Sequence, residues 1–548
     1  MSGNNRSKDN YIKQGSILAA ASLIVRIIGM LYRFPMSNII GEEGNGIYSV
    51  AFEIYDVILI ISSYSLPLAI SKIISAKRVR KEHRNINKVF KCAMIFALIS
   101  GSIAASVLYF GAPFFEKYMA NGKYTGLHLP LKVLAPTVFV VAIMGVLRGL
   151  FQGKGAMMPT AVSQIIEQVV NAVVSVYAAY SLIKAHSLSS EIAGWGAAGG
   201  TMGTLFGAIS GLCILGFVYI IYRPTLARLA RKDRTRYSDT YADIFKLIIF
   251  TSVPIILSQT VYQISGIIDY SIFGSIQASR GFSDIAVKTA TGLYSTKYRL
   301  LISVPIAIAT AMSSSLLPSI VASHEVKDYD RLNSKISLGL KFNMLIAFPC
   351  FAGLSILARP VLQMLFPSQD YVTGGYLLAI GSVAVVFYAI SNITGAVLQG
   401  INKMSLPVIH SAISLVVHIL VVVLLLYTTN MGILALVIGN IIFPIITSAL
   451  NMMAIYRYTT YTQEYTRTFG VPIVSSFIMG IACFTVYYGL EKVIPYNTLL
   501  VLLAVIISVM VYFSMYFLLK GATKEEIYEF PMGVRIVRLA VKLRLMRD

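Results

Sequence analysis

Gly46-Ile47-Tyr48-Ser49 returns as Gly292-Leu293-Tyr294-Ser295, and Gln152-Gly153 returns as Gln399-Gly400. The first echo is displaced by 246 residues and the second by 247. Two unrelated local motifs shifted by nearly the same distance imply a duplicated unit. The chain within each copy is apolar and long enough for several membrane helices. A duplicated membrane bundle is the architecture of transporters that rock two halves around a central site.

The 548-residue chain is 56% hydrophobic and 13% charged, with mean hydropathy +0.73. Soluble domains carry about 25% charged residues. Its many apolar runs reach the roughly 20 residues needed to cross a bilayer. These figures point to a polytopic membrane protein. Met1 to Asn10 is polar and the first apolar run is of spanning length, which is the pattern of a first span and not of a cleavable signal.

The net charge of +22 would suit nucleic acid, but its distribution excludes that partner. Lys and Arg crowd three places: Lys77 to Lys91, Arg223 to Arg236, and Lys520 to Arg547. Such clusters between and after apolar runs are retained on the cytoplasmic side during insertion. Cys92, Cys213, Cys350 and Cys483 lie apart in or beside apolar runs, without metal-ligand spacing, and read as packed free thiols.

Fourteen spans are expected, near 14–38, 47–75, 89–114, 130–152, 159–184, 194–222, 243–273, 291–321, 335–358, 374–399, 405–428, 431–456, 470–490 and 496–519. This count puts all three basic clusters and both termini in the cytoplasm. The acidic hairpin Gly41-Glu42-Glu43-Gly44 then faces outside, as does the stretch from Ser275 to Asp284. Tyr48 opens the second span and Tyr294 the eighth, so each copy holds six helices. An even number restores orientation, and the two lobes should be parallel. The expected organisation is an all-α membrane protein with a six-helix lobe over 1–240, a second over 241–460, and two further spans over 461–520. A basic tail follows over 521–548, whose Val534, Val537, Val541 and Leu545 would lie on the inner leaflet.

Charges inside spans cost roughly 2.5–3.5 kcal/mol each to insert, so they mark functional or paired positions. Arg26 and Arg33 stand two helical turns apart in the first span. Glu53 and Asp56 share a face of the second, Asp269 lies in the seventh, and Lys297 and Arg299 lie in the eighth. Polar stripes include Gln164 and Glu167 in the fifth span, and Gln259, Gln263 and Asp269 in the seventh. One reading is a wet, cationic cavity for an anion: Arg26, Arg33, Lys297 and Arg299 bind it, while the acids and glutamines balance or couple it. The alternative is that Arg33, Glu53 and Lys297 snorkel to the surface and that the polar stripes glue helices together. His410 and His418 lack a neighbouring carboxylate or thiol, so no metal site is expected. No nucleotide-binding, nucleophile or kinase motif is present, so neither catalysis nor a cofactor is expected.

Several stretches resemble a known family. Arg26-Ile27-Ile28-Gly29 followed by Gly41-Glu42-Glu43-Gly44-Asn45-Gly46-Ile47-Tyr48 is similar to the opening of the polysaccharide flippases in the multidrug/oligosaccharidyl-lipid/polysaccharide exporter superfamily. So are Leu66-Pro67-Leu68-Ala69-Ile70-Ser71-Lys72, Arg148-Gly149-Leu150-Phe151-Gln152-Gly153 with Pro159-Thr160-Ala161, and Ser163-Gln164-Ile165-Ile166-Glu167-Gln168. The resemblance runs over nearly the whole chain and is strongest to the stage V sporulation protein B and MurJ-type groups. It implies two six-helix lobes plus two helices, alternating access, and a lipid-linked, pyrophosphate-bearing wall precursor, foremost lipid II. It implies that Arg26 lines the cavity; the spacing to Arg33 is one residue longer than in the family. It further implies a bacterial cytoplasmic membrane, with membrane lipids and cell-wall synthesis proteins as partners. The coupling ion or potential stays open. The rivals are a cation-coupled multidrug antiporter of the same superfamily and a non-transporting scaffold in wall or spore-cortex synthesis.

Overall fold

The computed structural model describes residues 18, 21–22, 24–233, 235, 239–528 and 533–542. The side chains of residues 64, 254–255, 257–259, 261–262, 536 and 539–540 also lie outside the description. The described residues are mostly helical, joined by short turns, with no strand among them. They divide into two compact units, 1–292 and 293–548.

In unit 1, residues 24–31 are helical and lead through Tyr32 into α1 (Arg33–Leu59). A π-turn (Ile60–Tyr64) joins α1 to α2 (Leu66–Val79). Then come α3 (His83–Tyr118), α4 (His128–Gly153), α5 (Met158–Ala185), α6 (Ile192–Arg231), α7 (Tyr241–Ser279) and α8 (Asp284–Leu293). The expected acidic hairpin is a single-residue break. Gly41 inside α1 has φ 70° and ψ 178°, a conformation that glycine adopts without a Cβ penalty.

Small residues explain how these helices pair. Along α3, Cys92, Ala93 and Ala97 are fully buried, while Ile103, Val107 and Phe110 on other faces are exposed. Lipid is as apolar as these side chains, so close packing and not water exclusion holds the pair. The α5–α6 seam follows the same rule. A Cβ at Gly199 would lie 2.5 Å from the Ala179 Cα, and one at Gly207 would lie 2.7 Å from the Glu167 carbonyl oxygen. The stripe Gly199, Gly203, Gly207, Gly211 carries one glycine per turn into that seam.

Unit 2 continues from a π-turn (Tyr294–Arg299) into α9 (Leu300–Glu325), α10 (Tyr329–Ile356), α11 (Ala358–Leu365), α12 (Tyr371–Gly381) and α13 (Ala384–Gly400). α14 (Ser405–Thr428), α15 (Leu434–Tyr458), α16 (Val471–Leu490), α17 (Asn497–Leu518), α18 (Lys524–Tyr528) and α19 (Gly533–Lys542) complete it. One core joins α9, α10, α13 and α15 through Ile320, Ile336, Leu340, Ile393, Val397 and Ile455.

Eleven helices among the described residues are long and apolar enough to cross a membrane, or twelve if α12 and α13, bent by 45°, form one broken span. The expected count is fourteen, and two of those spans account for the difference from twelve. The first expected span begins in residues outside the description. The helical stretch Arg33–Val79 passes through the Gly41 break and counts once. α7, the seventh expected span, runs through side chains that are not described.

The compact units divide after Gly292, which places α7 in the first unit. In the tail, Val537 is buried in a core with Leu338, Tyr512, Tyr516 and Ile527, and Val541 packs at its edge. These two valines pack on the rest of unit 2; Val534 is exposed, and Leu545 lies outside the described residues. Lys341, buried in α10, draws α18 in through Glu526 at 2.8 Å and also meets Glu464 at 3.2 Å.

Candidate functional site

The polar interior of unit 1 is built on α1. Arg33 is half-buried and has Tyr32, Tyr48 and Asp56 as its electrostatic neighbours. Tyr32 and Tyr48 are buried, with their hydroxyls close to one another and to the Arg33 guanidinium. The Tyr32 hydroxyl accepts from Asn171 Nδ2 at 3.4 Å. Behind it, the Ser175 hydroxyl lies 2.9 Å from the Asn171 amide oxygen and 2.7 Å from the Gly200 carbonyl, and donates to one of them. The absence of a side chain at Gly203 makes room for this arrangement, since a Cβ there would lie 2.0 Å from Ser175 Oγ.

The acids Glu53 and Asp56 lie about one and two turns beyond Tyr48 along α1. Asp56 accepts from Gln263 Nε2 at 3.3 Å, which ties α1 to α7. Glu53 is buried, and its carboxylate rests on Gly266, where a Cβ would lie 2.1 Å from Oε2. Asp269, one turn beyond Gly266, is buried at 6% exposure. Tyr55 stands between Asp56 and Glu167 as their common electrostatic neighbour. Glu167 is held by Arg148 at 2.5 Å.

The candidate residues therefore separate into distinct settings. Arg33, Glu53, Asp56, Gln263 and Asp269 belong to the α1–α7 interior. Arg26 is exposed on the helical stretch before α1. Gln164 is half-buried with its Oε1 unpartnered, and Glu167 is committed to Arg148. Gln259 lies outside the described side chains. In unit 2, Lys297 is 0% exposed, donates to Gln369 Oε1, and stands 4.0 Å from the centre of the Phe366 ring. It does not snorkel, and Arg299 beside it is half-buried. His410 pairs with Asn451 at 2.7 Å, and His418 packs edge-on to Phe443.

Sequence reasoning missed Tyr32, Tyr48 and Arg148 as members of this interior. Arg148 carried a signal, because a cation beside the Gln164–Glu167 stripe needs a carboxylate. It also missed the acids set among the basic clusters. Lys77 bridges Glu82 at 2.7 Å and Asp239 at 2.5 Å, and Asn85 donates to Glu82 at 2.9 Å. Burial alone would raise the Glu82 carboxyl, but Lys77 and Asn85 outweigh it and hold it below the usual carboxylate range. Asp233 accepts from the Arg84 backbone N–H at 2.7 Å and from the backbone N–H and hydroxyl of Thr235. Burial works against its charge, yet these donors bring it down to about 2.

Comparison with known proteins gives one family. The pattern described as polysaccharide biosynthesis protein matches residues 11–324, and a second of the same description matches 284–373. "Lipid II flippase MurJ" of Bacillus subtilis (strain 168) is 26% identical over 492 residues, covering 88% of this chain and 89% of that protein. "Stage V sporulation protein B" of the same organism is 23% identical over 535 residues, covering 97% and 99%. Among solved structures, an inward closed conformation of lipid II flippase MurJ superposes with TM-score 0.67 at 14% identity, covering 92% of this chain and 98% of that one. An inward-facing multidrug resistance MATE family transporter superposes with TM-score 0.66 at 17% identity, covering 80% and 98%. The shared fold is that of multi-pass membrane flippases and transporters, and these relatives are not enzymes.

Proposed function

We propose a function from one premise: the chain belongs to the polysaccharide biosynthesis protein family. It moves a lipid-linked cell-wall precursor across the bacterial cytoplasmic membrane by alternating access, with both termini in the cytoplasm. The cargo is a polyprenyl-pyrophosphate glycan, most concretely lipid II. The observation that carries this reading is the setting of Arg33: a guanidinium in a membrane interior, beside the buried hydroxyls of Tyr32 and Tyr48. A fixed fork of N–H donors next to tyrosine hydroxyls suits phosphate oxygens.

Arg33 and the exposed Arg26 are the anion-binding cations of unit 1. Glu53, Asp56, Gln263 and Asp269 balance Arg33 and couple its state to the α1–α7 packing. Arg299 is the candidate cation of unit 2, while Lys297, enclosed by Gln369 and Phe366, positions its own π-turn.

The test is transport in proteoliposomes with fluorescent lipid II in one arm and a cationic dye in the other. Wild-type-dependent flipping of lipid II, lost in Arg33→Ala, is expected. Dye export without lipid II movement would transfer the assignment to a multidrug antiporter. Failure of both, with wall synthesis still dependent on the protein in cells, would leave the scaffold role.

A further inference from the structure

The end of unit 1 remote from the basic loop 77–91 brings three ligating side chains together. Glu116 ends α3, His128 begins α4, and Glu191 immediately precedes α6. One ligand atom from each lies within 4.8 Å of the other two, and all three residues are half-buried. Glu116 Oε2 accepts the His128 backbone N–H at 2.8 Å and stands 2.6 Å from Nδ1.

An ion pair would explain Glu116 and His128, but it leaves Glu191 over. The Glu191 side chain does not cap α6 and makes no hydrogen bond or ion pair among the described residues. With the imidazole neutral, the Glu116 and Glu191 carboxylates repel each other unless a cation joins them. A cavity of about 380 Å³ opens on Glu116 and His128, with Lys117 and Lys132 on its rim. Lys117 turns its ammonium toward the Tyr118 ring, 5.3 Å from its centre. The site therefore has open space for a further ligand such as water.

We propose that Glu116, His128 and Glu191 bind a borderline divalent metal ion, with Zn²⁺ the best match to one imidazole and two carboxylates. Ligand atoms at about 2.1 Å in a tetrahedral set stand roughly 3.4 Å apart, so the Glu116–His128 pair opens slightly and Glu191 closes in. The imidazole binds as the neutral ring, and any proton it carried toward Glu116 leaves to solvent. Water from the cavity takes the fourth position. Occupancy staples the ends of α3, α4 and α6 together.

The chain's single tryptophan supplies a readout that does not depend on transport. Trp195 lies one turn past Glu191, its backbone N–H bonded to the Glu191 carbonyl at 3.1 Å, and its ring stacks on His186 at 3.8 Å. Full-length protein, stripped of metal in detergent, is titrated with Zn²⁺ by equilibrium dialysis and with Co²⁺ by quenching of tryptophan emission. One saturable equivalent is expected, with Zn²⁺ displacing Co²⁺. Glu191→Gln touches no cap and should fold; its affinity should fall by more than the roughly ten- to hundredfold that losing an outer partner alone costs. His128→Gln should fall likewise, with elution and emission maximum unchanged. Absence of saturable binding, affinity unchanged in Glu191→Gln, or displacement of Zn²⁺ by equimolar Mg²⁺ would overturn the assignment.

Discussion

Gly46 and Gly292 meet reciprocally. A Cβ at Gly46 would lie 2.0 Å from the Lys288 carbonyl oxygen, and a Cβ at Gly292 would lie 1.9 Å from that of Glu42. Each glycine faces the residue four before the other, which is what a segment paired with its own copy produces. Lys288 also bridges Glu43 at 2.6 Å. Both obstructing atoms are backbone and cannot turn aside. Gly46→Ala and Gly292→Ala should each cost about 1–3 kcal/mol through overpacking. The double variant should cost less than the sum, because one separation relieves both clashes. Thermal unfolding in detergent measures all three, and additive losses would contradict a shared contact.

Arg33→Ala should remove a charge-assisted contact worth about 1.5–3 kcal/mol, roughly ten- to a hundredfold in lipid II flipping. Arg33→Lys retains charge but loses the fork, and should recover only part of that activity. Arg26→Ala should lower flipping without lowering stability, since Arg26 is exposed. Flipping rates normalised to reconstituted protein decide the matter; wild-type rates in both alanine variants would remove the anion site from unit 1.

Glu167→Gln should destabilise unit 1 by about 1–3 kcal/mol, because it leaves Arg148 without its carboxylate in a sparsely hydrated setting. Adding Arg148→Gln should restore part of the loss. A double-mutant cycle on unfolding midpoints reads the coupling directly, and a zero interaction term would show that the pair is incidental.

Asp233 has a folded pKa of about 2, below the roughly 3.9 of an unfolded aspartate. The unfolded chain therefore binds more protons between those values. The stabilisation from Asp233 is complete above about pH 4 and is lost as pH falls through the window toward 2. Asp233→Asn should lower the melting temperature at pH 7 and flatten its decline below pH 4. An acid limb identical to wild type would mean that other carboxylates carry it.

Topology can be probed with single cysteines in a cysteine-free background. Asn85 is buried against Glu82 and makes a poor reporter, whereas Lys81, Ser279 and Lys520 are exposed. An impermeant thiol reagent on intact cells should label Ser279→Cys alone. Labelling of Lys81→Cys or Lys520→Cys would reverse the orientation that the basic clusters imply.

The sequence shows the helical membrane class because apolar length is a one-dimensional property. The echo is legible for the same reason: Gly46 and Gly292 keep their identity and spacing. Gly41 resists such reading, since the turn rests on one residue's φ and the helix resumes at once. Arg33 and Asp56 could be named as buried charges, but which neighbour meets each depends on helix rotation. Lys297 shows this most clearly. Helical periodicity of 3.6 does not hold through the π-turn Tyr294–Arg299, and the partner Gln369 is distant in sequence. Glu116, His128 and Glu191 sit at three helix ends, where no periodic pattern connects them.

The unequal lengths of the helices bear on which membranes can host this protein. α3 has 36 residues and α6 has 40, whereas α17 has only 22. At 1.5 Å per residue these are about 54, 60 and 33 Å long, against a hydrocarbon core near 30 Å. The long helices can slide several ångströms in depth and keep their apolar girth covered. α17 has no such reserve, so hydrophobic mismatch in a thicker bilayer falls on it before it reaches α3 and α6, through local thinning of the bilayer or snorkelling of flanking residues. Acyl-chain length in the host membrane is therefore an experimental variable for this fold.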